Sequence, residues 1–226
     1  MKSKIIILLL IFPLNFLFAQ ESLGTDVINP LASLQNIINE VNIEKIESSG
    51  KIDGSYYFFK TPNVANIKLS NSERNLRIKV NYNIRKDNFE FKNGEDLFAL
   101  STDKAESIVF ANHRFIVFNS KFFELITKND KFIILKSHFV EAIQPKYQPG
   151  IEDKPNLRYR KANMLNVVVN NKISQLKSTK KAIISLFSKS VQKKIKSYIK
   201  SNKINIRDSK DLKLLFDDFK DQFLLN

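Results

Sequence analysis

The sequence predicts an α+β protein: an antiparallel β-meander, curled into an open or half barrel, with a short N-terminal helix before it and a C-terminal helical segment after it. Three observations lead there. Apolar residues recur at helical spacing near the start, alternate with polar ones through the middle, and return to helical stripes at the end. Through the middle, turn signals come about every ten residues, the rhythm of consecutive hairpins.

The chain opens MKSKIIILLLIFPLNFLFAQES. Lys2 and Lys4 precede an apolar run from Ile5 to Phe12, Pro13 breaks it, and Ala19-Gln20 offers a small residue for cleavage. This predicts a secretory signal over 1–19. The rival, an uncleaved anchor, needs roughly 20 apolar residues, and a run interrupted by Pro13 and Asn15 falls short. No later segment is apolar for long enough to span a bilayer. The expected location follows: export through the inner membrane, then the periplasm or the outer-membrane periphery. With no cysteine, neither disulfides nor a lipid-attachment thiol is available, and the 19 Phe with many Ile and Leu must build the core.

Residues 20–50 form a helical lead. Asn29 can cap, Pro30 suits the first helical position, and Leu31, Leu34, Ile38 and Val41 recur near helical spacing. An antiparallel β-domain of six to eight strands is expected over 51–143. In RNLRIKVNY, Leu76, Ile78, Val80 and Tyr82 alternate with Arg77, Lys79 and Asn81, and Phe89 and Phe91 alternate ahead of Asn93-Gly94, a strong hairpin turn. Strands follow at 107–110, 114–118, 122–127 and 131–137, the last two joined across Asn129-Asp130. Three prolines and a glycine make 144–156 the linker. The remainder, 157–226, reads as a basic hairpin turning at Asn170-Asn171, then helices. One opens at Ser178-Thr179 around Ala182, Ile183, Leu186 and Phe187. The next carries Val191, Ile195, Tyr198 and Ile199, and the last starts near Asp208 with Leu212, Leu215, Phe216, Phe219 and Phe223 on one side.

Charge is segregated. The whole chain carries +14, yet Lys154 to Arg207 holds fifteen Lys or Arg and no Asp or Glu. Segregation of this kind points to an anionic partner. In VQKKIKSYIKSNK the apolar residues take one helical face and leave Lys193, Lys194, Lys196, Lys200 and Lys203 on the other. Those five are the expected contact residues for an envelope protein or an anionic envelope surface, lipid head groups or lipopolysaccharide. The competing readings are a solvated lysine face and neutralisation within the chain by Asp208, Asp211, Asp217, Asp218 and Asp221. Nucleic acid is disfavoured, since arginine-rich and aromatic-interleaved motifs are absent.

Catalytic and metal signals are missing from the pattern. There is no glycine-rich phosphate loop, no GxSxG and no HExxH, so no catalytic residue, cofactor or metal is expected. His113 and His138, the only histidines, read as turn or surface residues; Glu90, Glu95 and Asp96 read as a solvated hairpin end. The expected function is a non-enzymatic exported envelope protein acting through its basic helical face. The alternative is a carrier that holds a lipid or other apolar ligand inside the curled sheet.

The runs IDGSYYFF (52–59), NLRIKVNYNIRKDNFEFKNGEDLFAL (75–100) and SLFSKSVQKKIKSYIKSNKINIRDSKDLKLLFDDF (185–219) resemble a group of exported proteins of Bacteroidota that has no assigned activity. The group shares a Gly-Ser opening, an "lRyN" strand, a following "EFK" with an Asn-Gly-type turn, and a lysine-rich tail. Tyr56-Tyr57 stand where Pro-Tyr is commoner. The resemblance implies an exported location and contributes no catalytic motif.

Overall fold

A computed structural model describes residues 30–46 and 53–224. The expected signal peptide lies outside the described residues. The helical lead is α1 (Pro30–Val41), whose Leu34 and Ile38 are buried against the sheet. The strands are β1 (Glu44–Lys45), β2 (Asn63–Leu69), β3 (Asn75–Asn83), β4 (Asn88–Asn93), β5 (Asp96–Leu100), β6 (Ala105–Phe110), β7 (His113–Phe118), β8 (Lys121–Lys128), β9 (Ile133–Ile143), β10 (Arg158–Val169) and β11 (Lys172–Leu176). Three helices follow, α2 (Lys180–Ile184), α3 (Lys189–Ser201) and α4 (Ser209–Asp218).

All the strands join one open antiparallel sheet in the order β1-β5-β4-β3-β2-β6-β7-β8-β9-β10-β11. Two meanders, β2 to β5 and β6 to β11, run outward from the central pair β2–β6. The bend lies in β3: residues 75–80 pair with β2, while Asn81, Tyr82 and Asn83 pair with β4. A strand that changes partner along its length turns a corner. The short β5–β6 link requires such a corner, because the two strands it joins are not neighbours and Lys104 N–H to Ser101 O, 3.1 Å, folds the link into a turn.

Hairpin geometry follows the turn residues. Asn93 and Asp96 pair across Gly94-Glu95, with Gly94 at φ 62°. Asn119-Ser120 and Asn170-Asn171 sit at φ 48–60°, the left-handed conformation that two-residue hairpin loops need. Ala111 occupies the same region at φ 48° without an asparagine's tolerance for it. Eight strands, β2 to β9, fall within 51–143, inside the six to eight expected there. Among them β2, not one of the strands marked by alternation, buries Ala65, Ile67 and Leu69 on alternate positions. Residues 144–157 connect β9 to β10, which pair from Ile143↔Arg158 to Ile133↔Val168, so the proline-rich stretch is the loop of a long hairpin.

One row of side chains crosses the sheet on a single face. Pairing places Leu76, Ile67, Ile108, Phe115, Glu124, Lys136, Leu165 and Leu176 side by side, and all are buried. The row is apolar except at its adjacent Glu124 and Lys136. On one side of these two charges the sheet is covered by its own rings: Tyr82, Phe89, Phe110, Phe115 and Phe122 pack with α1 and with Phe58 and Phe59 from the segment before β2. Many centroids there lie 4.8–5.9 Å apart, the spacing of edge-on and offset ring pairs. On the other side Ile134, Leu165 and Leu176 meet Ile183, Phe187, Ile195, Ile199, Leu212, Leu215 and Phe216 of the C-terminal helices. A bulge at Leu125/Thr127 in β8 marks the changeover.

Candidate functional site

The basic helices fold as their caps and stripes dictate. Thr179 caps α2 by accepting Ala182 N–H at 3.2 Å, and Asp208 caps α4 by accepting Lys210 N–H at 2.9 Å and Asp211 N–H at 3.1 Å. The capping box is displaced: the Asp211 carboxylate reaches back to Asn205 N–H at 2.8 Å instead of to Asp208. Helix α3 ends in a Schellman motif, with Ile204 N–H to Ile199 O and Lys203 N–H to Lys200 O, and Lys203 at φ 53° in the position usually held by glycine.

Packing of α2 against α3 leaves a groove of about 510 Å³ with Ile184 and Ile199 among its lining. Lys180, Lys181, Lys196 and Lys200 border it, and all four are exposed. Of the five lysines picked out in the sequence, Lys196 and Lys200 therefore meet at this groove. Lys193 precedes them on the same helical stripe, Lys194 lies over the Phe219 ring at 5.9 Å, and Lys203 closes the helix. The α2 pair that completes the border lay outside the sequence-based set. No ion pair among the described residues uses any of these lysines. Four of the five aspartates considered as internal neutralisers are engaged elsewhere, Asp208 and Asp211 in capping, Asp217 with Thr127 and Lys213, and Asp218 with the Tyr198 hydroxyl; Asp221 makes no ion pair with these lysines.

A second site lies where the ring-covered and helix-covered parts of the sheet meet. Glu124 is 2 % exposed and accepts from both histidines, His113 Nδ1 at 2.7 Å on Oε1 and His138 Nε2 at 2.9 Å on Oε2. Lys136 is its cross-strand neighbour, and Lys136 Nζ donates to Arg207 O at 3.1 Å and to Ser209 Oγ at 2.5 Å. One ammonium thus ties the centre of the sheet to the turn that starts α4. Phe58 packs edge-on against both imidazoles, at 5.1 and 4.8 Å. These groups border a cavity of about 420 Å³ that also reaches Arg207 and Lys210.

Burial pushes the Glu124 carboxyl up, but the two imidazole hydrogen bonds and the charges of His138 and Lys136 outweigh it and hold the group well below the usual carboxylate range. Burial pushes the Lys136 ammonium down, against the opposing pull of Glu124 and Asp208. The expectation of turn or surface histidines is corrected here. His113 does follow a hairpin tip, yet it and His138 both turn onto one buried carboxylate. A signal was present: Glu124 in FFELIT and Lys136 in FIILKS are charges inside otherwise apolar strands.

Glu90 is corrected as well. It is buried, accepting from the Tyr57 hydroxyl and from Asn83 Nδ2 at 2.7 Å, and only Glu95 and Asp96 remain at the wet hairpin end. Burial first, and then Glu90, holds the Tyr57 phenol above its ordinary range, so it stays a donor. Among the described residues no group of three or more His, Cys, Asp or Glu is placed to hold a metal ion, and no helix is long and apolar enough to cross a membrane.

Comparison with protein-family models, with curated proteins and with solved structures finds no match for this chain.

Proposed function

We propose that this protein is a non-catalytic accessory module of the cell envelope that docks onto anionic lipid head groups through the α2–α3 groove. The observation that carries the reading is the groove's composition: two isoleucines in its lining and four exposed lysines at its border, none of them ion-paired within the described chain. A phosphate-bearing head group satisfies the ammonium groups, and the first methylenes of an acyl chain satisfy the apolar lining. An acidic protein surface would satisfy the lysines and leave the isoleucines unused. Export, expected from MKSKIIILLLIFPLNFLFAQ, would bring the module to such a surface. Over the alternative of an apolar ligand inside the curled sheet, the reading is supported by the rings that already fill that interior.

The test is sedimentation of the purified protein with phosphatidylglycerol and phosphatidylcholine vesicles at roughly 50 and 200 mM salt, a range over which multi-charge contacts weaken steeply. Binding is expected only to the anionic vesicles, weaker at the higher salt, and lost when Lys180, Lys181, Lys196 and Lys200 are changed to Glu. Equal binding by that variant, or binding to neutral vesicles alone, would sink the reading.

A further inference from the structure

The lysine groove leaves the seam cavity unexplained, and the seam is built differently. Each imidazole spends one nitrogen on Glu124, whose ionised carboxylate can only accept. The hydrogen is therefore on Nδ1 of His113 and on Nε2 of His138, which leaves His113 Nε2 and His138 Nδ1 without hydrogen-bond partners among the described residues. Neither is sealed in, since among the described residues the buried and unpartnered side-chain atoms are Asn88 Oδ1 and Gln222 Oε1. Two imidazoles held in fixed orientation, each with one accessible nitrogen, thus border the same cavity.

The other charges around it decide what it would take. Lys161, Arg207 and Lys210 join Lys136 on the cationic side, against Glu124 and Asp208. The lining is positive by two charges even with both imidazoles neutral. Lys136 is committed to the α4 turn and Asp208 to its cap, so Arg207 and Lys210, both exposed, remain available at the mouth. Phe58 and Ile84 supply an apolar wall. A volume of about 420 Å³ suits a small molecule.

We propose that the seam cavity binds a small phosphomonoester, its phosphate held between the accessible imidazole nitrogens and the Arg207 and Lys210 side chains, its organic part against Phe58. Phosphate fits better than a carboxylate because its oxygens outnumber a carboxylate's and a dianion matches the charge of the lining. Either protonation state of the imidazoles can meet it: a neutral nitrogen accepts from a phosphate hydroxyl, and a charged one donates to a phosphate oxygen.

The two histidines are the only ones in the chain, so imidazole NMR of histidine-labelled protein reads this site alone. Glycerol 3-phosphate, inorganic phosphate and acetate are titrated separately at constant ionic strength. Both imidazoles are expected to move saturably with the two phosphate probes and far less with acetate. Reversing Arg207 and Lys210 together to Glu is expected to weaken phosphate binding about tenfold or more, the loss of charge-assisted contacts, with the histidine spectrum of the free protein preserved. No saturable movement, equal affinity for acetate, or binding unaltered in the double reversal overturns the proposal. The four-lysine groove variant is expected to keep the full phosphate response; its loss there would assign the phosphate to the groove and likewise overturn the proposal.

Discussion

The two flanks of this sheet use the same strand chemistry and different covers. From β2 to β7 the rings of Tyr82, Phe89, Phe110 and Phe115 pack with aliphatic residues such as Ile67, Leu69 and Ile108 to fill the bend of the sheet, with one short helix laid against them. From β8 to β11 the inward residues Ile126, Ile134, Leu165 and Leu176 are aliphatic, and three helices bury them. Polar chemistry collects where neither cover is complete. The crossing row stays apolar from Leu76 to Phe115 and again from Leu165 to Leu176, and its two charges stand at the junction between the covers. Charges buried there require partners, since an unpaired carboxylate or ammonium costs several kcal/mol, roughly, away from water. The histidines, the Arg207 carbonyl and the Ser209 hydroxyl provide them.

The strongest challenge to this comparison comes from removing one ring under each cover. Phe115→Ala takes away a ring packed on Phe58, Tyr82, Phe89 and Phe110, and Phe216→Ala one packed on Phe132 and Phe187. Each is expected to cost about 3–5 kcal/mol in chemical denaturation. Because one buried row runs under both covers, each variant should still unfold in a single transition. Two separated transitions would break the view of one sheet shared by two covers.

Next in size is the junction. Glu124→Gln leaves Lys136 buried beside a neutral group and is expected to cost about 3 kcal/mol at neutral pH. The sign of its pH dependence follows from the depressed carboxyl. Unfolding returns Glu124 to its ordinary value of 4.5, so its contribution is complete above that value and is lost as pH falls below it toward the folded value. The stability gap between the native protein and Glu124→Gln should therefore be constant on the alkaline side and shrink on acidification. A gap that widened in acid would refute the assignment of Glu124 as the ionised partner.

Smallest are the turns. Ala111 at φ 48° and Lys203 at φ 53° both hold conformations that side chains resist, so Ala111→Gly and Lys203→Gly are each expected to raise stability by about 0.5–1 kcal/mol. One change lies on the ring-covered flank and the other in the helical cover, so equal gains would show that both flanks report on the same unfolding equilibrium. A loss at either position would mean that the native side chain makes contacts that outweigh the backbone strain.

What could be read in the sequence was what depends on near neighbours. Alternation gave β3, Asn93-Gly94 and Asn170-Asn171 gave two hairpins, and the spacing of Leu212, Leu215, Phe216 and Phe219 gave the buried stripe of α4, because period and turn chemistry act over a few residues. The lysine-rich face was legible for the same reason, though only half of the groove that borders it was. Lys180 and Lys181 join Lys196 and Lys200 only once two helices pack. The assembly of the seam was decided by tertiary structure. Alternation relates Lys136 to His138, two residues on along β9, but nothing local relates that pair to Glu124 or to His113. They meet because the β7–β8 register and the β8–β9 register, the latter shifted by a bulge, put all four on one face at the line where rings give way to helices. Register is set by the burial of whole strands at once, so it has no local signature, and a site built on register becomes visible only in the folded sheet.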